Sequence, residues 1–482
     1  MRRLRFLTGF ILGTILAIGL TGCAKQYKPA SLPQSLPETW AVQADSKSAG
    51  SFPKKELSSP QFQFGKIMTK DLTMSSSLLD LIDDARVTNL VEEAMAGNPD
   101  LKATAARLKA SGFLLSQTSS RRLPELTAGA SRGRNNHNLD ESGSPDASDS
   151  YQVSASISWE LDVWGRISDL QQAEILGHKA LEKEYLRAYD ALAARVIQAW
   201  IQSVAACQTL AIEEERLAAL QKIEDTLLFR YREGLGSLED YSAARTRTKV
   251  ATASVSSRAE IHRRSLRSLE VLVGRYPEAA IRKTDVMPEI ESAPIVPPHA
   301  ALKNRPDIQA ALSRIDADQY AAIAAQKNRL PALRLVAEVS KSSTSFSDLD
   351  TASRIWNLAA GLTQPIFQGG RLKDEAMAKE AQAEAAVWDL AQAVLAAMKE
   401  VEDAMDNETA LAFQEAALTD AVLEAVKTSE YFLTRYRSGL DNIQTLLIAR
   451  EQEMNIKTSL TDIKAARMTN RIDMALALGL GV

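Results

Sequence analysis

The side chains best suited to bind metals or attack electrophiles are four histidines, His137, His178, His262 and His299, and two cysteines, Cys23 and Cys207, scattered through 482 residues. Metal centres are built on short ligand spacings such as C-x2-C, and no such spacing occurs. GxxxxGK[ST], HExxH and GxSxG are absent as well, which removes the phosphate cradle, the zinc-bearing helix and the nucleophile elbow. Glu160 and Asp162 stand two apart on one strand face, a spacing open to an acid/base pair. They read better as lining carboxylates of a water-filled passage, where acidic rings favour cations. Cys207 falls in an apolar helical stripe and reads as a packed thiol. The chain therefore reads as a non-enzyme with no cofactor and no bound metal. Its formal charge of −4 and the lack of a basic patch exclude nucleic acid as a partner.

The elements around those carboxylates are more informative than the carboxylates themselves. In VSASISWELDVWGR, Val153, Ala155, Ile157, Trp159, Leu161 and Val163 alternate with Ser154, Ser156, Ser158, Glu160 and Asp162. One face of such a strand is apolar and the other polar, which suits a soluble sandwich or a transmembrane strand of about 9 to 11 residues. The N-terminus favours the membrane. MRRLRFLTGFILGTILAIGLTGC has basic residues, an apolar run too short for a retained span of about 20 residues, and small residues before a cysteine. Leu20-Thr21-Gly22-Cys23 resembles a bacterial lipobox, so residues 1–22 are expected to be a signal peptide and Cys23 the acylated first residue. By the same resemblance Ala24 implies sorting to the outer membrane of a Gram-negative cell. Loss of Arg2, Arg3 and Arg5 takes the charge from −4 to −7.

Residues 23–75, rich in Ser, Pro and Lys, read as a lipid-anchored extended arm. Beyond them the chain repeats. NPDLKATAARLKASGFLLSQTSSRRLPEL recurs as RPDIQAALSRIDADQYAAIAAQKNRLPAL 207 residues later, while LDVWGR and IFQGGR, and RYREGL and RYRSGL, stand 205 apart. The repeats are assigned to 76–275 and 276–482. Each reads as a helix, two strands, a very long helix, a tight turn and another helix, with the second repeat opening on a linker that belongs to an equatorial belt. The strands are expected near 126–133, 153–163, 333–340 and 356–364, with a polar loop RNNHNLDESGSPDASDS in the first pair. From Arg166 to Tyr231 no proline intervenes, so 66 residues of helix span roughly 100 Å. A heptad seam through Ala193, Val196, Trp200 and Ser203, echoed by Met398, Val401, Met405 and Glu408, implies helical neighbours along the length, supplied by two shorter helices end to end.

Four strands cannot close a barrel, because closed outer-membrane barrels begin at about eight and an open edge in lipid leaves backbone groups unpaired. Three chains of four strands would close. The expected fold is mainly α with a membrane β-barrel: a tandem-duplicated protomer whose trimer forms a 12-stranded barrel continued by a long periplasmic α-helical barrel. Trp159 and Trp356 would then face lipid and the Ser154, Ser156, Ser158 row would face water.

LDVWGR, QPIFQGGR and the paired RYRxGL turns resemble the outer-membrane factor family, TolC-like, and in particular its lipoprotein branch serving resistance-nodulation-division pumps. The resemblance implies a homotrimeric exit duct for small molecules, docked through its periplasmic tip on an adaptor protein that links it to an inner-membrane transporter. It makes the two turns that tip, with Tyr231, Gly234, Leu235, Ser237, Tyr436, Gly439 and Leu440 as adaptor contacts. Ser237 with Asp240, and Asp441 with Gln444, read as the caps that restart the helices. In that family, side-chain rings close the duct just after the second turn, often aspartates tied to arginines. Here Arg435 is kept, Gln444 and Ile448 hold the inward spacing, and Glu451 stands where a basic residue is common. The expected gate is an apolar ring at Ile448 with weaker ionic locking. Competing readings are a metal-efflux or type I secretion duct, a diffusion porin and a non-conducting periplasmic scaffold. The cargo is not legible.

Overall fold

The computed structural model describes residues 37, 39–41, 77–137, 146–282 and 284–482. Cys23, the expected signal peptide and most of the expected arm lie outside the described residues. After a short 3-10 turn (Leu78–Leu81) the first repeat contains α1 (Ala85–Gly97), α2 (Pro99–Ser120), β1 (Glu125–His137), β2 (Asp146–Leu161), α3 (Arg166–Arg232) and α4 (Leu238–Val273). The second contains α5 (Pro298–Asn304), α6 (Pro306–Lys327), β3 (Ala332–Ser343), β4 (Ile355–Thr363), α7 (Arg371–Arg437) and α8 (Ile443–Ala477). The duplication holds residue for residue in the long helices: α3 and α7 each have 67 residues and begin and end 205 apart. Among the described residues no helix is long and apolar enough to cross a membrane.

The described residues form two compact units, one holding 108–182 and 310–390, the other holding 77–107, 183–309 and 391–482. The first unit is built on the sheet, an antiparallel meander in the order β1-β2-β3-β4. The strands reach further than polarity suggests. β1 pairs with β2 from Glu125↔Ser158 to His137↔Asp146, so most of the expected polar loop is ladder. Backbone hydrogen bonds form a ladder whatever the side chains, and hydroxyl and charged residues on a two-strand extension need no apolar neighbour. At its other end β2 stops at Leu161, two residues early, because Asp162 turns to serve the start of α3. Its carboxylate accepts from the backbone N–H groups of Ile167 and Ser168 (both 2.8 Å) and from the Ser168 hydroxyl (2.6 Å). A helix start offers unpaired N–H donors and a partial positive charge, which is where a carboxylate is worth most.

The second unit holds the main core. Trp40 is fully buried there, its indole N–H donating to the Val296 carbonyl (2.6 Å), among Val87, Val91 and Ala94 of α1, Val196, Ile197, Trp200 and Ile201 of α3, Leu269 of α4, and Ile472 and Met474 of α8. Burial on α3 is wider than the expected seam, since Leu192, Ile197 and Val204 are enclosed along with Ala193, Val196 and Trp200. Cys207, on the same helix, is half-buried. The end-to-end placement of the short helices is visible at both junctions. At the first, the Asn98 side chain donates to the Leu272 carbonyl at the end of α4 (2.8 Å) and accepts from Asp100 and Leu101 N–H at the start of α2. Gly274, at φ +81°, closes α4 so near the Gly97 backbone that a Cβ there would lie 2.7 Å from its carbonyl oxygen. At the second junction, 205 to 207 residues on, Arg305 replaces Asn98 and donates to the Ala477 carbonyl (3.2 Å).

Candidate channel lining, tip and gate

The strand register sorts the side chains of the sheet into two faces, because residues directly opposite one another point the same way. One face carries Leu126, Ala128 and Ala130, then Val153, Ala155, Ile157 and Trp159, then Leu335, Ala337, Val339 and, towards the end of the strand, Lys341, then Trp356, Leu358 and Ala360. The other carries Thr127, Ser154, Ser156, Ser158, Glu338, Ser340 and Asn357, interrupted by Val336, Ile355 and Ala359, with the Thr127 and Ser156 hydroxyls 2.8 Å apart. The apolar face is bare: Trp356 is 77% and Leu358 71% exposed. A contiguous apolar face of this extent is stable only against another apolar phase. Of the two suspected lining carboxylates, Asp162 is spent on α3 and Glu160 accepts from Arg166 (2.5 Å) with Arg334 3.8 Å away, so neither is a free ring acid. Glu338, on the hydroxyl-bearing face, is the acid that sequence reasoning passed over.

The two hairpin turns share one geometry. In the first, Gly234 (φ +70°) donates to the Tyr231 carbonyl and Leu235 to the Arg230 carbonyl; in the second, Gly439 (φ +71°) donates to Tyr436 and Leu440 to Arg435. This pair of bonds satisfies the last carbonyls of α3 and α7 and requires a left-handed residue, which glycine supplies at least cost. Ser237 then caps α4 through a bond from Asp240 N–H (3.0 Å), as expected. The second restart differs from expectation: Asn442, not Asp441, caps α8 and accepts from Thr445 N–H (2.9 Å). Asp441 instead pairs with Arg435 (2.5 Å), whose guanidinium also donates to the Leu440 carbonyl and so staples its own turn. The hydrogen bond and charge of Asp441 raise the Arg435 pKa further. Leu235 and Leu440 project as the most exposed apolar residues of the turns, at 70% and 64%. Tyr231 stacks on Tyr241 (6.2 Å between centroids), and Arg230 donates to the Tyr436 hydroxyl (3.3 Å), tying one hairpin to the other. Below them Leu220, Leu227, Ala244, Ile443, Leu446 and Leu447 make a small separate core.

The expected gate residues are brought together only in part. Ile448 is 57% exposed on α8, free to meet an aqueous duct or another copy. Gln444 accepts from Arg247 of α4 (3.2 Å), and Glu451 pairs with Arg216 of α3 (3.2 Å). Ionic ties therefore do hold α8 to the first hairpin, from arginines that sequence spacing did not single out. Arg435 takes no part in them.

In the second unit, Arg305 is the other residue missed. Its side chain is 8% exposed, and it pairs with Asp307 (2.8 Å) and Glu400 (2.7 Å) beside a cavity of about 420 Å³ that Asp190 and Asp473 also line. Burial works against ionisation of Asp307, but the Arg305 hydrogen bond and charge outweigh it and hold its carboxyl below the usual range. Burial pushes the Asp190 and Asp473 carboxyls up, with a bond from Val482 N–H and one from Gln198 opposing it only in part.

Comparison with known proteins decides what this arrangement is. The family model described as outer membrane efflux protein matches residues 90–275 and 298–480, one match per repeat. The chain belongs to the outer membrane efflux protein family. Among curated relatives it is 28% identical to the outer membrane protein OprJ of Pseudomonas aeruginosa over 83% of this chain and 85% of that one. It is 25% identical to the cation efflux system protein CusC of Escherichia coli over 96% of this chain and 97% of that one. A crystal structure of CusC superposes with a TM-score of 0.78 at 22% identity, covering 95% of this chain and 100% of the other. The outer membrane protein VceC of Vibrio cholerae gives a TM-score of 0.74 at 23% identity over 84% and 99%. This efflux protein is thus a mainly helical outer-membrane channel component of a Gram-negative efflux system and not an enzyme.

Proposed function

We propose that three copies of this chain assemble into a continuous exit duct, a 12-stranded barrel in the outer membrane continued by a periplasmic α-helical barrel. The observation that carries this reading is the four-stranded sheet with one bare apolar face and, among the described residues, unpaired edges at β1 and β4. In hydrocarbon an unpaired edge costs several kcal/mol per group, so a neighbour must supply its partner. The row of Ser154, Ser156 and Ser158 with Glu338 and Asn357 then lines water. The paired turns, with Leu235 and Leu440 outermost and Tyr231, Gly234, Ser237, Tyr436 and Gly439 shaping them, form the surface that a periplasmic adaptor grips on behalf of an inner-membrane transporter. Ile448 forms an apolar constriction, with Gln444 and Glu451 tying α8 to the first hairpin. Cys23 carries the lipid that anchors the arm. No cofactor takes part.

CusC is named for cation efflux, and a wide duct asks little recognition of its own, so cations and organic molecules are both cargo that the pump upstream would select. The test is conductance in planar bilayers together with rescue of drug and metal tolerance in a strain lacking the gene. Discrete, long-lived channel events with rescue support the reading. Rescue without conductance would leave a scaffold, and conductance without any rescue would leave a porin.

A further inference from the structure

The cavity between α3, α4 and α8 is lined by Arg216, Arg247, Arg450 and one acid, Glu451, together with apolar residues that include Leu220, Val250 and Leu447, and its volume is about 190 Å³. Two of the arginines have carboxylate partners: Arg216 has Glu451 (3.2 Å) and Glu213 (3.6 Å), and Arg450 has Glu453 (2.9 Å). Arg247 has none. One of its terminal nitrogens, Nη2, donates to the neutral Gln444 (3.2 Å), and the other, Nη1, is shielded from solvent with no hydrogen-bond partner among the described residues. A guanidinium stays charged at any physiological pH and offers a planar fork of donors that matches an oxyanion. Water in the cavity could accept the bond but would give Arg247 no paired charge, since the Glu451 carboxylate is taken by Arg216, in a partly desolvated place where charges interact more strongly than in bulk water.

We infer that this cavity is a binding site for a small oxyanion of the phosphate class, held by Arg247 with Arg216 and Arg450 at its sides. The volume fits it, since about 10–15 Å³ of such space holds one water and about 190 Å³ leaves room for an ion several times larger. The three arginines come from three different helices, so the bound anion bridges α3, α4 and α8. Gln444 and Glu451, which tie α8 to the first hairpin, border the site, but it does not require Ile448 to close the duct.

The experiment uses the full lipoprotein in mild detergent, titrated with inorganic phosphate against chloride at constant ionic strength, with heat of binding and melting temperature as readouts. The wild type is expected to bind saturably, with a melting temperature that rises with phosphate by mass action. Arg247→Gln is expected to weaken phosphate binding by about tenfold or more, the scale of one charge-assisted hydrogen bond. Arg245→Gln, which removes an exposed arginine of α4 outside the cavity, should bind like the wild type. Equal affinity in R247Q and wild type overturns the site. So does a wild type with no saturable response, the outcome if a carboxylate of a neighbouring copy already fills the cavity. Should R247Q fail to fold, wild-type crystals soaked in tungstate decide: anomalous density between the three guanidinium groups supports the site and its absence overturns it.

Discussion

Replacing Leu358 with arginine places a guanidinium near the middle of β4, a nine-residue strand, on the face that carries Trp356 and Ala360. If that face meets lipid, the cost is that of a charge at the bilayer midplane, about 2–4 kcal/mol per copy. At 1.36 kcal/mol per tenfold this shifts the folding equilibrium roughly 30- to 900-fold against the inserted state, and three copies in one barrel compound the loss. Asn357→Arg is the control. Asn357 lies one residue away on the opposite face, directly across from Glu338, so the same side chain there meets water and an acid and should cost little. The assay is urea-dependent insertion of each variant into phospholipid vesicles, followed by gel mobility without heating. L358R should lose most of its assembled band at urea concentrations where N357R keeps it. Equal behaviour of the two variants would refute the assignment of the faces.

Further outcomes follow from the turns, the junction and the titrating groups. Gly439→Val forces a β-branched residue to φ +71° and should cost about 1–2 kcal/mol, while Gly177→Ala, in mid-helix with nothing within 4 Å of the new Cβ, should add about 0.5–1 kcal/mol; urea midpoints measure both. Arg305→Ala strands the mostly buried Asp307 carboxylate and should cost about 3 kcal/mol, the low end for a broken buried pair because Glu400 stays half-exposed and hydrated; a urea midpoint within error of wild type would contradict the role given to Arg305. The depressed Asp307 pKa contributes stability that is fully present above its unfolded value of about 4 and is lost as pH falls through the lower folded value. Asp307→Asn should flatten that acid limb in a pH series of melting temperatures, against the opposite slope that Asp190 and Asp473, both raised by burial, supply in either protein. Ile448→Ala should raise single-channel conductance, and unchanged conductance would remove this residue from the constriction.

What was legible in the sequence is what repetition and backbone geometry oblige. Two copies with matching glycines 205 apart had to form matching turns, because only a left-handed residue lets a 67-residue helix end and reverse there. The alternation through Val153 and Trp159 marked the apolar row correctly, since successive side chains of a strand point to opposite faces. What was not legible depended on competition between equivalent chemistries. Asp441 and Asn442 can both cap a helix, and the choice fell to Asn442 because Arg435 claims the aspartate. The outer reach of β1 and β2 was hidden because ladder bonding is indifferent to polarity. Arg305 and Arg247 were invisible because a lone arginine carries no spacing signal, and the partners Glu400 and Gln444 come from elsewhere in the chain.

The most direct measurement is the mass of the assembled protein released from native outer membranes into lipid nanodiscs without crosslinking. Three chains per particle is the predicted result. A stable particle containing one chain would contradict the account.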